Sequence, residues 1–307
     1  MPESSLPAVL NSSSSASVEL ERTTSAKTRL GITELLLSGA ASGALAKSAI
    51  APMDRIKILF QTDPTKQFNC TNATHLAKQI YARSGIKSFW RGHTATLVRV
   101  VPYSATNYFI YDRAHEWLNH SVGDVVHPTG VRFAAGAASG SAAVCVTYPL
   151  ETLRARLAVD LEARYSRGYI EAVRNIARSD GFLSLYSGLR PTLAGIIPYA
   201  GTSFAVYETL KSEEANYGRR LLIGAIAGFI AQATTYPLDV IRRRMQVRPL
   251  ENTSVASTFM KIVKNEGMIR GLYKGLSMNA IKGPIAVAIS LSTNDHLKHL
   301  FLHRHSG

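Results

Sequence analysis

Cysteine is almost absent: Cys70 and Cys145 stand alone in 307 residues, with no CxxC partner. This excludes a disulfide framework and a four-cysteine zinc site. Charge is scarce too. Asp, Glu, Lys and Arg make up 18% of the chain, against about 25% in ordinary soluble domains. Acids are the rarer sign, 21 against 35 Lys and Arg, and the net charge is +14. That balance suits nucleic acid, an anionic membrane surface or an anionic small molecule. No apolar core of a secretory signal opens the chain. Nor does the sequence show a Ser-His-Asp constellation, a metal-ligand cluster or a Walker loop. No enzymatic activity, metal or cofactor is therefore expected.

What the chain does contain is long stretches of apolar and small residues. Residues 1–30, with a serine run and mixed charges, have no periodic apolar face and are expected to be disordered. Beyond them, residues 133–150, 191–207 and 221–238 carry no Asp, Glu, Lys or Arg. Residues 35–53 carry only Lys47, residues 94–111 only Arg99, and residues 276–294 only Lys282. About 20 apolar residues cross the hydrocarbon core of a bilayer, so six transmembrane helices are predicted. Their Gly, Ala and Ser, as in Gly136-Ala137-Ala138-Ser139-Gly140, allow close helix packing. A lone cation in such a span must face protein or water rather than lipid. Lys47, Arg99 and Lys282 are expected to line one wet cavity and, without acids nearby, to take an anion.

A threefold repeat organises these spans. Pro52-Met53-Asp54-Arg55-Ile56-Lys57 recurs as Pro149-Leu150-Glu151-Thr152-Leu153-Arg154 and as Pro237-Leu238-Asp239-Val240-Ile241-Arg242. Each has an acid two residues after the proline and a base five after it. A second motif follows each: Ser84-Gly85 with Trp90-Arg91-Gly92, Asp180-Gly181 with Tyr186-Ser187-Gly188, and Glu266-Gly267 with Tyr273-Lys274-Gly275. The repeats are placed at 31–120, 128–213 and 217–303. A proline inside a helix bends it. Three bent helices that converge would pair Asp54 with Arg154, Glu151 with Arg242 and Asp239 with Lys57, closing one end of the cavity.

These motifs resemble the signature of the mitochondrial carrier family, and the resemblance covers residues 31–303. It implies an all-α membrane protein of the inner mitochondrial membrane. Six transmembrane helices in three pseudo-symmetric repeats would surround a central cavity, with three short matrix helices. It implies that the acid-base ring is the matrix gate and that Gln61 and Gln246 brace it, whereas Ala158 does not. The further base of the family motif is present at Arg156 and Arg244 but replaced by Leu59 in repeat one. A cytoplasmic gate is implied at Tyr207-Glu208 with Lys211 and at Asp112. It is depleted, because His115, Asn294 and Leu297 replace expected charges. Only Asp112 with Lys211 remains as a cross-helix pair, so this gate is expected to be the weaker one.

The resemblance also implies cardiolipin at the helix-start glycines Gly92, Gly188 and Gly275, near Arg91 and Lys274, because helix-start N–H groups bind phosphate. Substrate positions fall at Arg99, Gly195-Ile196 and Lys282-Gly283. The Gly-aliphatic pair is similar to that of family members that carry adenine nucleotides: a missing side chain leaves a slot, and the aliphatic residue packs on the base. Arg99, Lys282 and Lys47 would then hold phosphates. The segments Ile197–Gly201, Tyr236–Gln246 and Gly275–Val287 resemble members that carry coenzyme A. The function so implied is uptake of coenzyme A or dephospho-coenzyme A in exchange for adenine nucleotides, by a monomer that binds no nucleic acid. The alternatives are a carrier of another adenine nucleotide and a soluble basic nucleic-acid-binding protein.

Overall fold

The computed structural model describes residues 31–122, 126–161, 168–211, 216–251 and 254–306. The tail 1–30, expected to be disordered, lies outside the described residues. Six helices are long: α1 (Ile32–Thr62), α3 (His93–Val122), α4 (Pro128–Val159), α6 (Leu189–Leu210), α7 (Tyr217–Val247) and α10 (Leu276–Ser306). Each keeps one proline in its interior, at Pro52, Pro102, Pro149, Pro198, Pro237 and Pro284. Between them lie α2 (Cys70–Ser84), α5 (Tyr169–Asp180), α8 (Val255–Glu266) and the single turn α9 (Met268–Leu272). Short 3-10 turns occupy Ile86–Trp90 and Phe182–Tyr186.

The first long helix of each repeat is apolar enough to cross a membrane by length and composition. These are Thr33–Thr62, Pro128–Val159 and Gly218–Val247, with mean hydropathies of 1.2, 1.2 and 1.5. The second long helices, α3, α6 and α10, have 30, 22 and 31 residues. Dispersed polar residues such as Arg99, Asn107, Thr192, Asn279 and Lys282 dilute their hydropathy. Polar groups on a span are tolerated where they face protein or water.

The described residues divide into two compact units, one within residues 50–283 and a second formed by residues 31–49 with 284–306. The larger unit contains three similar cores. In each, a short amphipathic helix lays two residues four apart on the end of a long one. Leu76 and Ile80 of α2 pack with Leu59 and Phe60. Ala172 and Ile176 of α5 pack with Leu153 and Leu157. Ile262 of α8 packs with Tyr236, Val240, Ile241 and Met245, and Thr258 beside it is fully buried. The i, i+4 spacing puts both residues on one helix face. The Asn69 side chain caps α2 by accepting from the Asn72 N–H.

The glycine before each second long helix is required by geometry. Gly92, Gly188 and Gly275 have φ of 82°, 85° and 83°, a region that L residues seldom occupy. A Cβ on Gly188 would lie 2.9 Å from the Arg242 carbonyl oxygen and 3.0 Å from the Tyr148 hydroxyl. One on Gly92 would lie 3.0 Å from the Arg154 carbonyl oxygen. These turns are therefore pressed against the charged segment of the following repeat. Gly188→Ala is expected to destabilise the protein by about 1–3 kcal/mol through overpacking. Thermal unfolding of the purified variant against the parent checks this, with Gly224→Ala, where a Cβ meets nothing within 4 Å, as the neutral control.

Candidate functional site

The charged segments of α1, α4 and α7 meet inside the larger unit. Asp54 Oδ2 accepts from Arg154 at 2.8 Å, and Glu151 Oε1 is paired with Arg242. The third pair is not made. Among the described residues Lys57 is in ion-pair contact with no carboxylate. Its ammonium lies 5.1 Å from the centroid of the Tyr236 ring, and Asp239 approaches Arg242 of its own helix at 4.0 Å. A ring face stabilises a desolvated cation, and an acid three residues from a base on one helix is already within reach of it. Arg242 likewise lies over Tyr148, at 5.9 Å. Both tyrosines immediately precede the motif proline; repeat one has Ala51 there.

The two cations of the second helices join the same carboxylates. Arg99 donates to Glu151 Oε2 at 2.8 Å, and Lys282 donates to Asp54 Oδ1 at 2.8 Å. The expectation that these cations have no acid nearby is corrected: the acids come from other helices. Each carboxylate thus holds a base of a neighbouring first helix on one oxygen and a second-helix cation on the other. Arg243 adds a third cation to Glu151, at 3.5 Å. Glu151 is 4% exposed. Around Asp54 and Arg154 the remaining space is about 10 Å³, no more than one water requires. Lys47 belongs to the other unit and is exposed.

The glutamines act through the tyrosines. Gln61 Nε2 donates to the Tyr236 hydroxyl at 3.0 Å, and Gln246 Nε2 to that of Tyr148 at 3.1 Å. Gln246 Oε1 also accepts from Arg243 at 2.9 Å. Gly195 and Ile196 are half-buried, and a Cβ on Gly195 would meet only Leu238 Cδ1, at 3.7 Å. Gly283 is exposed with open space around it. At the other end of the second helices, Lys211 pairs with Glu208 of its own helix at 3.6 Å, not with Asp112, which is exposed. A partner one turn away on the same helix needs no approach of a neighbour.

Four residues escaped the sequence reading. Arg243, given no role there, joins Glu151 and Gln246. The Tyr-Pro dipeptides at Tyr148 and Tyr236 are the available signal for the two stacking positions. Arg55 is the fourth. Arg156 Nε donates to the carbonyl oxygen of Gln246, and its guanidinium reaches Asp180. Arg244 Nε donates to that of Gln61, and its guanidinium reaches Glu266. In repeat one, Leu59 and Ser84 replace that base and that acid. Arg55, one helical turn before Leu59, donates instead to the carbonyl oxygens of Ala158 and Ser88. Base and acid are lost together and a neighbouring arginine restores the link.

The lipid positions are also altered. Arg91 is tied to Asp160 at 2.9 Å, and Lys274 to Glu266 at 2.9 Å and to the Asp63 carbonyl oxygen at 2.8 Å. Both cations expected to meet a lipid phosphate are therefore engaged. A cavity of about 770 Å³ opens beside Gly275, lined among others by Lys66, Arg270, Tyr273 and Ser277.

Residues 28–122, 126–213 and 213–305 each match the profile of the mitochondrial carrier protein family, and the chain belongs to that family. It is a multi-pass protein of the mitochondrial inner membrane. It is 46% identical over 284 residues to the mitochondrial coenzyme A transporter SLC25A42 of Homo sapiens, covering 88% of this chain and 89% of that protein. The Xenopus tropicalis protein of the same name is 44% identical over 283 residues, covering 88% and 86%. The mitochondrial carrier protein CoAc2 of Zea mays is 35% identical over 292 residues, covering 88% and 86%.

The links between neighbouring repeats are testable by substitution. Arg55→Ala is expected to lower the unfolding midpoint, and Leu59→Arg with Ser84→Asp in the same chain to recover part of it. No recovery would refute the exchange of roles. Glu266, in α8 outside the spans, is half-buried, which favours its protonated form. Hydrogen bonds and charge from Arg244 and Lys274 outweigh burial and hold its carboxyl below the ordinary carboxylate range. A pKa lowered by folding contributes stability that is complete above the unfolded value, about 4.3. That contribution is lost as pH falls through the folded value. Over that fall the parent should lose more unfolding midpoint than Glu266→Gln; parallel losses would contradict the assignment.

Proposed function

We propose that this protein carries coenzyme A or dephospho-coenzyme A across the inner mitochondrial membrane in exchange for adenine nucleotides, by alternating access to one central site. The observation that carries the reading is the position of Arg99 and Lys282: two half-buried cations on different helices, each in contact with a carboxylate of the central charge cluster. A coenzyme A molecule presents an adenine, a 3′-phosphate and a diphosphate. Arg99 engages phosphate oxygens bidentately and Lys282 acts as a point charge. Gly195 leaves room for the adenine, Ile196 supplies an apolar surface for it, and Gly283 keeps the site open beside Lys282. The relatives named as coenzyme A transporters support the choice of cargo.

Asp54, Lys57, Glu151, Arg154, Asp239 and Arg242 act as the matrix gate, with Gln61 and Gln246 as braces through Tyr236 and Tyr148. Asp112, Glu208 and Lys211 act as a weaker cytoplasmic gate. A substrate shifts the equilibrium between the two closed states only by binding one better than the other. The glycine turns at Gly92, Gly188 and Gly275 hold cardiolipin through backbone N–H groups, with the cavity beside Gly275 as the roomiest of the positions. The protein works as a monomer.

Exchange by protein reconstituted in liposomes tests this. Coenzyme A outside should drive release of labelled ADP from inside, and Arg99→Ala and Lys282→Ala should each reduce the rate at least about tenfold, the effect of losing roughly 1.4 kcal/mol of binding. Exchange of ADP for ATP with no response to coenzyme A would replace the cargo by another adenine nucleotide. Undiminished rates in both variants would refute the site.

A further inference from the structure

We propose that the last turns of α10 carry a binding site for a divalent transition-metal ion, held by the imidazoles of His299 and His303. The site uses none of the residues proposed for cargo or gate.

The chain has nine histidines, and four of them fall between His296 and His305. His296, His299 and His303 are all on α10, past the stretch 276–294 whose only charge is Lys282. All three side chains are exposed. Among the described residues no hydrogen bond, ion pair or ring contact engages them. Their ring nitrogens are therefore open to a ligand from solvent.

Helical residues advance about 100° and about 1.5 Å each, so His299 and His303 stand about 40° apart on one face and about 6 Å apart along the axis. This is the i, i+4 spacing through which two histidines of one helix reach a single metal. His296, three residues before His299, shares the face. Asp295, four residues before His299, is exposed. A carboxylate there can accept from the ring N–H of His299 that faces away from the metal, the usual support of a metal-bound imidazole. The two bases of the segment, Lys298 and Arg304, lie about 100° and about 140° round the helix from His299, off that face.

The chemistry selects the ion. Imidazole nitrogen suits zinc, copper and nickel, whereas calcium and magnesium require oxygen. α10 ends at Ser306, so His303 lies in its last turn, where the helix carbonyls favour positive charge. Among the described residues no group of three His, Cys, Asp or Glu could hold a metal ion. The protein thus supplies two ligands, and water or a small anion fills the remaining positions. Such a site is open and exchangeable, unlike the closed four-ligand sites that hold a fold together.

Titration of the full-length protein with Zn2+, a redox-inert probe, tests the proposal, provided that the protein is purified without a histidine tag. The parent should bind one ion per chain with a Kd below about 0.1 mM at pH 7.5. His299→Gln and His303→Gln should each weaken binding at least about tenfold, since even loss of an outer partner costs that much. His75→Gln, an exposed histidine of α2, should leave it unchanged. At pH 5.5 the parent should bind more than about tenfold more weakly, because both imidazoles must be neutral to bind. Both positions are exposed, so the metal-free unfolding midpoints of the variants should match that of the parent, and Zn2+ should raise the midpoint of the parent alone. An equal rise in the double variant, undiminished affinity in it, or no binding by the parent at 1 mM Zn2+, about tenfold above the expected Kd, would each overturn the site.

Discussion

A carboxylate has two oxygens, and in this molecule the two that matter most serve two masters. Asp54 and Glu151 each bind a base of a neighbouring first helix on one oxygen and a cation of a second helix on the other. The cluster is rich in positive charge: Arg99, Arg154, Arg242, Arg243, Lys57 and Lys282 face Asp54, Glu151 and Asp239. Buried charge is tolerable only when paired and hydrogen-bonded. The scarcity of acids therefore forces the sharing, and the sharing joins first and second helices at one cluster.

The threefold frame holds these charges in register. Each short amphipathic helix packs on a long one, each glycine turn presses on the next charged segment, and each repeat sends an arginine to a backbone carbonyl of its neighbour. The symmetry is broken in ways that compensate. Repeat one lacks the base at Leu59 and the acid at Ser84, and Arg55 carries its link. It also lacks a tyrosine before its proline, and among the described residues no ring lies beneath Arg154, whereas rings lie beneath Lys57 and Arg242. Lys57, without a carboxylate in contact, depends on that ring.

Much of this was legible in the chain. The prolines, the acid-base spacing and the glycine turns marked the repeats, because helix geometry fixes what lies two, three and five residues from a bend. The pairs of Asp54 with Arg154 and Glu151 with Arg242 followed from assuming that three equivalent helices converge. Where the reading went astray, it counted charges along one helix and not across the bundle. Arg99 and Lys282 looked isolated since their own spans hold no acid; Glu151 and Asp54 reach them from distant parts of the chain. Asp239 with Lys57 was expected by symmetry, but the ring of Tyr236 and the nearby Arg242 offered each a closer partner. The pairing of Lys211 inside its own helix, and the engagement of Arg91 and Lys274 by Asp160 and Glu266, likewise depend on distances that spacing does not encode.

The most direct test is a structure of the full chain with coenzyme A bound. The account requires the Arg99 guanidinium and the Lys282 ammonium to have left Glu151 and Asp54 for phosphate oxygens, with the adenine against Gly195 and Ile196. If both cations stay on their carboxylates at the present 2.8 Å while the ligand sits elsewhere, the proposed cargo site is wrong.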